Sequence, residues 1–183
     1  MRFAVYGPYD LGRDSSGWIG KESKAQFWKE IEDEVPGLSG ACGCYVFRVA
    51  AGGGSKPWYV GKAEKQAFKT ECFSADKMNK YNKVFSNRQR GRPQLIFLAQ
   101  VTEKKNDFRK PTTGQRPFIQ ALESILIGKA FEKNSELLNI QGTRKTQRLV
   151  VEGFLNTSQL ARGGPAKELR DTFRLPAHKQ KLK

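Results

Sequence analysis

The chain has 183 residues, and its 33 Lys and Arg against 18 Asp and Glu give a formal net charge of +15. A sequence this basic indicates a polyanionic partner, most often nucleic acid, and the alternative is a merely soluble basic protein. No apolar run approaches the length of a membrane span, and the single histidine, His178, lies in the tail. The sequence therefore argues against a membrane partner, a Ser-His-Asp or Cys-His nucleophile in the core, and a histidine-rich metal centre.

The cysteine pattern indicates a reducing compartment. Cys42, Cys44 and Cys72 are odd in number and lack the C-x-x-C spacing of a zinc site. We therefore expect structural thiols in a cytoplasmic, intracellular protein. Any catalysis would have to use Tyr, Lys, Arg, Glu or Asp side chains, with a hard metal ion held by oxygen ligands.

The first 39 residues predict an N-terminal extension with one packing helix. Residues 1–20 are rich in Gly and Asp, and we expect a loop there, or a short edge strand over 3–6. Residues 23–26 have the spacing of a capping box, and Pro36 and Gly37 end the predicted helix. Its apolar contacts recur at helical spacing: Phe27, Trp28, Ile31 and Val35.

Two tyrosine–glycine motifs then flank a turn-rich linker. Residues 43–45 (Gly-Cys-Tyr) begin one strand-like run, and residues 59–61 (Tyr-Val-Gly) end another. Extended runs on either side of the Gly-rich stretch 51–57 predict a β-hairpin. Tyr45 and Tyr59 could then meet on one sheet face. Two tyrosines in that position are usually core residues.

A helix is predicted from about residue 63 to residue 79. Lys62, Lys65 and Lys69 would form one stripe at its start, because residues three and four apart share a helix face. A lysine stripe is usually a solvated face, but a strand-to-helix turn also often presents anion-binding groups.

The stretch 77–92 contains six basic residues and no acidic one, with Tyr81 and Phe85 interleaved. This pattern is typical of a surface that contacts phosphates and bases, and also of an exposed loop, and the two interpretations are compatible. The predicted substrate-binding residues are Gly61, Lys65, Lys77, Lys80, Lys83, Arg88, Arg90 and Arg92.

A third strand over 94–101 and a charged loop over 103–116 precede a helix that runs from Pro117 to about Lys133. Glu123 lies inside the apolar arc of that helix. A charge there is costly unless it is paired or binds a metal. Glu123 is therefore either a functional ligand or one half of a salt bridge with a buried Lys or Arg. The arc consists of Ile119, Leu126, Ile127 and Ala130.

The predicted architecture is α+β, with a small three-stranded antiparallel sheet flanked by helices over residues 40–142. A short extended segment that contains Asn139 closes this domain. Residues 143–183 form a basic C-terminal extension with one predicted helix that starts at Pro165.

In this order, the elements resemble the GIY-YIG nuclease superfamily over about residues 40–142. Residues 43–45 stand for the first motif, and residues 59–61 are similar to the second motif of the excision-repair nuclease. Lys69 falls where the family has an arginine, Glu123 corresponds to its metal-binding glutamate, and Asn139 to its asparagine.

The resemblance implies a metal-dependent endonuclease that hydrolyses phosphodiester bonds of DNA. A single Mg²⁺ or Mn²⁺ ion would be held by Glu123, with Asn139 positioning Glu123 or a metal-bound water. Tyr45 would be the general base, with Lys62 as the cation that lowers its pKa. The remaining assigned roles are Tyr59 lining the site, Gly61 admitting the substrate to the backbone, and Lys69 neutralising charge on the phosphate.

Three departures from the family pattern keep a second hypothesis open. Cys44 stands in place of an isoleucine, Lys69 in place of the arginine, and Phe73 about where some members have a histidine. Lysine keeps the charge but lacks the bidentate fork of arginine. The alternative is a catalytically degenerate GIY-YIG-fold module that binds nucleic acid.

Overall fold

The structure is a computed structural model that describes residues 1–52, 54–86, 90–139 and 164–172. The chain divides into two compact units, Met1–Asn139 and Ile140–Lys183. In the second unit the described element is a helix, Gly164–Thr172, at the place where the sequence predicts one. Arg88, the end of the predicted domain at 140–142 and most of the predicted C-terminal extension, residues 143–163 and 173–183, lie outside the described residues.

The first unit is built on a four-stranded antiparallel sheet, so the expected α+β class is confirmed but the expected three strands are corrected to four. The strands are β1 Arg2–Asp10, β2 Gly43–Ala51, β3 Gly54–Ala63 and β4 Arg92–Val101. The sheet order is β1-β4-β2-β3. The additional strand, β1, pairs with β4 from Arg2 opposite Val101 to Asp10 opposite Gln94. Gly7 and Pro8 obscure its alternating pattern, and a bulge between Tyr6 and Tyr9 absorbs them.

The predicted hairpin is β2 and β3, and its turn is shorter than the expected linker 51–57. Tyr45 pairs with Gly61 and Phe47 with Tyr59. The predicted convergence of Tyr45 and Tyr59 is confirmed, because their ring centroids lie 6.2 Å apart.

Helices cover both faces of the sheet. The front face, which carries Tyr45 and Phe47, is covered by α1 (Lys21–Glu34), α2 (Phe68–Glu71) and α3 (Ala75–Ser86). The back face, which carries Cys44 and Val46, is covered by α4 (Pro117–Lys133). Helix α4 has the predicted bounds, with proline in its first turn. Helix α1 buries Phe27, Trp28 and Ile31 as expected, although it begins at Lys21, before the predicted capping box.

The predicted single helix over 63–79 is wrong. Strand β3 continues to Ala63, which is buried opposite Gly43. A bend and the four-residue helix α2 follow, and α3 starts only at Ala75. Lys62 therefore lies on a strand, Lys65 in the bend and Lys69 in α2, so the predicted lysine stripe does not form. None of the described helices is both long and apolar enough to cross a membrane.

Candidate functional site

Tyr45 is a core residue of the front face. Its side chain has an exposed fraction of 0% and contacts the rings of Tyr59 and Phe68 at centroid distances of 6.2 and 6.4 Å. Burial raises the pKa of Tyr45 well above its usual value, and neighbouring Tyr81 raises it further. Lys62 is paired with Cys44 in the ladder and so belongs to the back face. Tyr45 is thus a protonated phenol at neutral pH, without the pKa-lowering cation that the resemblance requires.

The two glycines of the motifs have packing roles. A side chain at Gly61 would overlap the ring of Tyr45, which lies directly across the hairpin. A side chain at Gly43 would overlap the carbonyl group of Leu98 on β4. Both glycines therefore allow the close approach of core groups. The role of Gly61 in admitting substrate to the backbone stays a prediction.

Tyr59 is 8% exposed, and its ring has two ammonium groups beside it. The Nζ atoms of Lys77 and Lys80 lie 5.6 and 5.2 Å from the ring centroid, within the range of cation–π interactions. Burial raises the pKa of Tyr59, while the charge of Lys77 opposes the shift. Both lysines also bind the Asp76 carboxylate, at 3.0 and 2.6 Å. Part of the predicted basic surface is thus neutralised within the protein.

Glu123 forms an ion pair with Lys62 on the back face. The distance from Lys62 Nζ to Glu123 Oε2 is 2.9 Å, and the side chains are 34% and 20% exposed. Burial lowers the pKa of Lys62, but the hydrogen bond and charge of Glu123 outweigh it, so this pKa lies above its usual value. The sequence left two interpretations of Glu123 open, a functional ligand and a salt-bridge partner. The geometry matches the salt bridge.

The Lys62 ammonium group binds Oε2 of Glu123, so a Mg²⁺ or Mn²⁺ ion at this carboxylate would have to use its other oxygen or displace Lys62. Across the described ranges, no group of three or more His, Cys, Asp or Glu side chains is placed to hold a metal ion.

Asn139 binds the free edge of β3. Its Oδ1 accepts a hydrogen bond from Val60 N at 2.8 Å, and its Nδ2 donates one to Val60 O at 2.6 Å. Strand β3 is last in the sheet order, so these backbone groups face away from β2. Leu138 N donates to Trp58 O at 2.8 Å on the same edge. The amide thus takes the place of a neighbouring strand.

The sheet separates the predicted catalytic residues. The two tyrosines and Gly61 lie on the front face, and Lys62 and Glu123 belong to the back face. Asn139 lies at the outer edge of β3. Of the predicted phosphate-binding side chains, Lys65, Lys69, Lys83 and Arg90 are exposed, whereas Arg92 pairs with Asp10 at 3.1 Å.

Tyr81 is not available for contact with a nucleobase. Its ring stacks on Phe47 at a centroid distance of 4.2 Å, and its side chain is fully buried. The sequence prediction placed it among basic surface residues because charge surrounds it in the chain. On α3 it instead lies on the same face as the buried Val84.

Glu64 is a buried carboxylate whose role the sequence does not predict. Its Oε1 accepts hydrogen bonds from the backbone N–H of Arg116 and from Gln120 Nε2, the second at 2.8 Å. It therefore satisfies donors at the start of α4. The chain offers no local signal for this role, because Arg116 lies fifty-two positions away.

Comparisons with protein-family models, with curated proteins and with solved structures found no match to this chain.

Proposed function

We propose that the chain is a nucleic-acid-binding protein, with DNA as its ligand, and that its tyrosine–glycine hairpin is structural rather than catalytic. One observation carries the proposal. Residues 56–116 contain fifteen basic residues and five acidic ones. A charge excess of this kind is typical of proteins that bind the phosphate backbone.

Most of those five carboxylates form hydrogen bonds or ion pairs with other groups of the protein. Glu64 is buried at the start of α4. Asp76 binds Lys77 and Lys80, and Glu71 also lies near Lys77, at 3.7 Å. Glu103 Oε1 accepts a hydrogen bond from Met1 N at 2.8 Å. The acidic residues therefore do not form a separate negative surface that would repel a polyanion.

The burial of Tyr45 argues against a catalytic role for it. A general base must lie within hydrogen-bond reach of the water that it activates. The Tyr45 hydroxyl is enclosed in the core, and its pKa is raised. The carboxylate that would bind the metal lies on the helix that covers the opposite face.

An endonuclease is the second candidate, and the Lys62–Glu123 pair favours it. Both side chains are partly exposed, so solvent reaches an acid and a cation next to the second tyrosine motif. A metal ion at Glu123 would have to use the other carboxylate oxygen or displace Lys62. The proposed function needs neither.

A plasmid assay separates the two candidates. Supercoiled DNA is incubated with the wild-type protein and with Glu123→Gln, each in Mg²⁺ and in EDTA. We expect salt-sensitive retention of the plasmid by both proteins and no nicking. Metal-dependent nicking that Glu123→Gln lacks would overturn the proposal in favour of the endonuclease. Failure of both proteins to retain DNA at low salt would exclude DNA as the ligand.

A further inference from the structure

The charged loop between β4 and α4 contains a turn that is closed by a single β-bridge. We call residues 102–110 the basic arm. Val101 forms a β-bridge with Phe108, and Thr102 N donates to Asp107 O at 2.9 Å. Asn106, with φ of 58°, supplies the left-handed residue of the turn. The arm is thus a folded element and not an irregular connection.

The base of the arm is held by the sheet. Arg109 N donates to Gln100 O at 2.9 Å, and Arg109 O accepts from Cys42 N at 3.0 Å. The ring of Phe108 packs edge-on against Tyr6 at 5.5 Å. The arm therefore continues the sheet beside the end of β4, where β2 has not yet begun.

The Arg116 side chain stabilises the C-terminal part of the loop. Its guanidinium group donates to Gln100 Oε1 and to Lys110 O, both at 2.7 Å. Because these contacts order the arm in the absence of a ligand, binding through it would cost little conformational entropy.

The exposed groups of the arm are predominantly cationic. Lys104 and Lys105 lie side by side in the turn and are exposed, and so are Arg109 and Lys110 at the base. Glu103 accepts a 2.8 Å hydrogen bond from the N-terminal ammonium group, which lowers the pKa of this carboxyl. Its charge is therefore offset locally, and Asp107 is the other acidic residue of the arm.

We propose that the basic arm is the element that docks on duplex DNA, with Lys104 and Lys105 each contacting a backbone phosphate. This inference rests on the proposed function and deepens it. Lysine ammonium groups bind phosphates as point charges. Adjacent lysines on an ordered turn present two such charges at a fixed place on the protein.

The test compares two double variants that each remove two positive charges. Lys104→Ala with Lys105→Ala removes the two positive charges in the turn of the arm. Lys21→Ala with Lys29→Ala removes two exposed positive charges of α1. Fluorescence anisotropy measures the Kd for a labelled duplex over a series of salt concentrations. Circular dichroism and thermal melting check that both variants keep the wild-type fold.

We expect the arm variant to bind roughly tenfold or more weakly at moderate salt, and its plot of log K against log salt to be shallower by about 1.8, since each phosphate contact contributes about 0.9. The α1 variant should keep the wild-type slope. Lys104→Arg with Lys105→Arg should bind like the wild type, because the charge is retained.

Three further outcomes overturn one or both claims. Equal weakening of the arm and α1 variants, or an arm variant that binds like the wild type, would overturn the docking role of the arm while the proposed function stands. A wild-type protein that does not bind the duplex at low salt would overturn both.

Discussion

Gly61 lies directly across the β2–β3 hairpin from Tyr45, and the ring of Tyr45 fills the volume that a side chain at Gly61 would occupy. The two residues that most resemble a nuclease motif are therefore complementary parts of one packing contact. The same spacing that suggests a catalytic pair also satisfies a steric requirement of the core.

Gly61→Ala should destabilise the protein by about 2–3 kcal/mol, because overpacking a dense core forces side chains and backbone to shift. Chemical denaturation measures the change. Gly52→Ala is the matched control, since a methyl group there would meet no atom within 4 Å. The cost of Gly61→Ala should fall when Tyr45 is also replaced by Ala, and strictly additive losses in that double-mutant cycle would contradict the packing role.

Tyr45→Phe should lower the free energy of unfolding by about 1 kcal/mol at most. The Tyr45 hydroxyl is buried, and its neighbouring hydrogen-bonding group is the equally buried hydroxyl of Tyr81, so the substitution removes no more than this one interaction. DNA binding should be unchanged. A loss of DNA cleavage or binding in a Tyr45→Phe protein of normal stability would show that the hydroxyl acts on the ligand.

Asn139→Asp should destabilise the protein about as much as Asn139→Ala, by roughly 2 kcal/mol. A carboxylate can accept the hydrogen bond from Val60 N but repels Val60 O, which now accepts from the Asn139 amide. Asn79→Asp, at an exposed position on α3, is the control. If Asn139 served instead to hold a metal-bound water, aspartate would be tolerated, and thermal melting would find the Asp variant near the wild type.

Stability should decrease as pH rises above about 9. Burial raises the pKa of Cys44 to about 12 and that of Tyr45 well above its usual value. Between the unfolded and folded pKa values the folded state holds protons that the unfolded state has lost, so the unfolding free energy falls with increasing pH. Urea titrations from about pH 8 to pH 11 measure this slope. Cys44→Ala should make the slope shallower, whereas a flat profile would mean that these groups titrate normally.

Elements with strong local signals were predicted correctly. The hairpin follows from two apolar runs around glycines, and α4 follows from Pro117 and a long apolar helical pattern. The helix after β3 was misplaced because Ala63 and Phe68 suit either a helix or a strand-and-turn. Burial of Ala63 opposite Gly43, which depends on the β2 register, decided the outcome.

The positions of the candidate site residues depend on long-range packing in the same way. Sequence spacing allows Tyr45 and Tyr59 to share a face, because side chains alternate along a strand. It could not show on which face α4 packs, and Glu123 reaches Lys62 on the other side of the sheet. The charged neighbours of Tyr81 in the chain predict a surface residue, yet its ring stacks on Phe47.

The sequence by itself determined the α+β class, the basic character of the protein and the pairing of the two tyrosine motifs, because composition and the period of a strand are local properties. The tertiary structure alone decided that β1 joins the sheet, that Asn139 closes the edge of β3 and that Glu123 is neutralised by Lys62. These contacts join residues 61 to 99 positions apart. Such pairings depend on how the helices and strands pack in three dimensions, which no local pattern encodes.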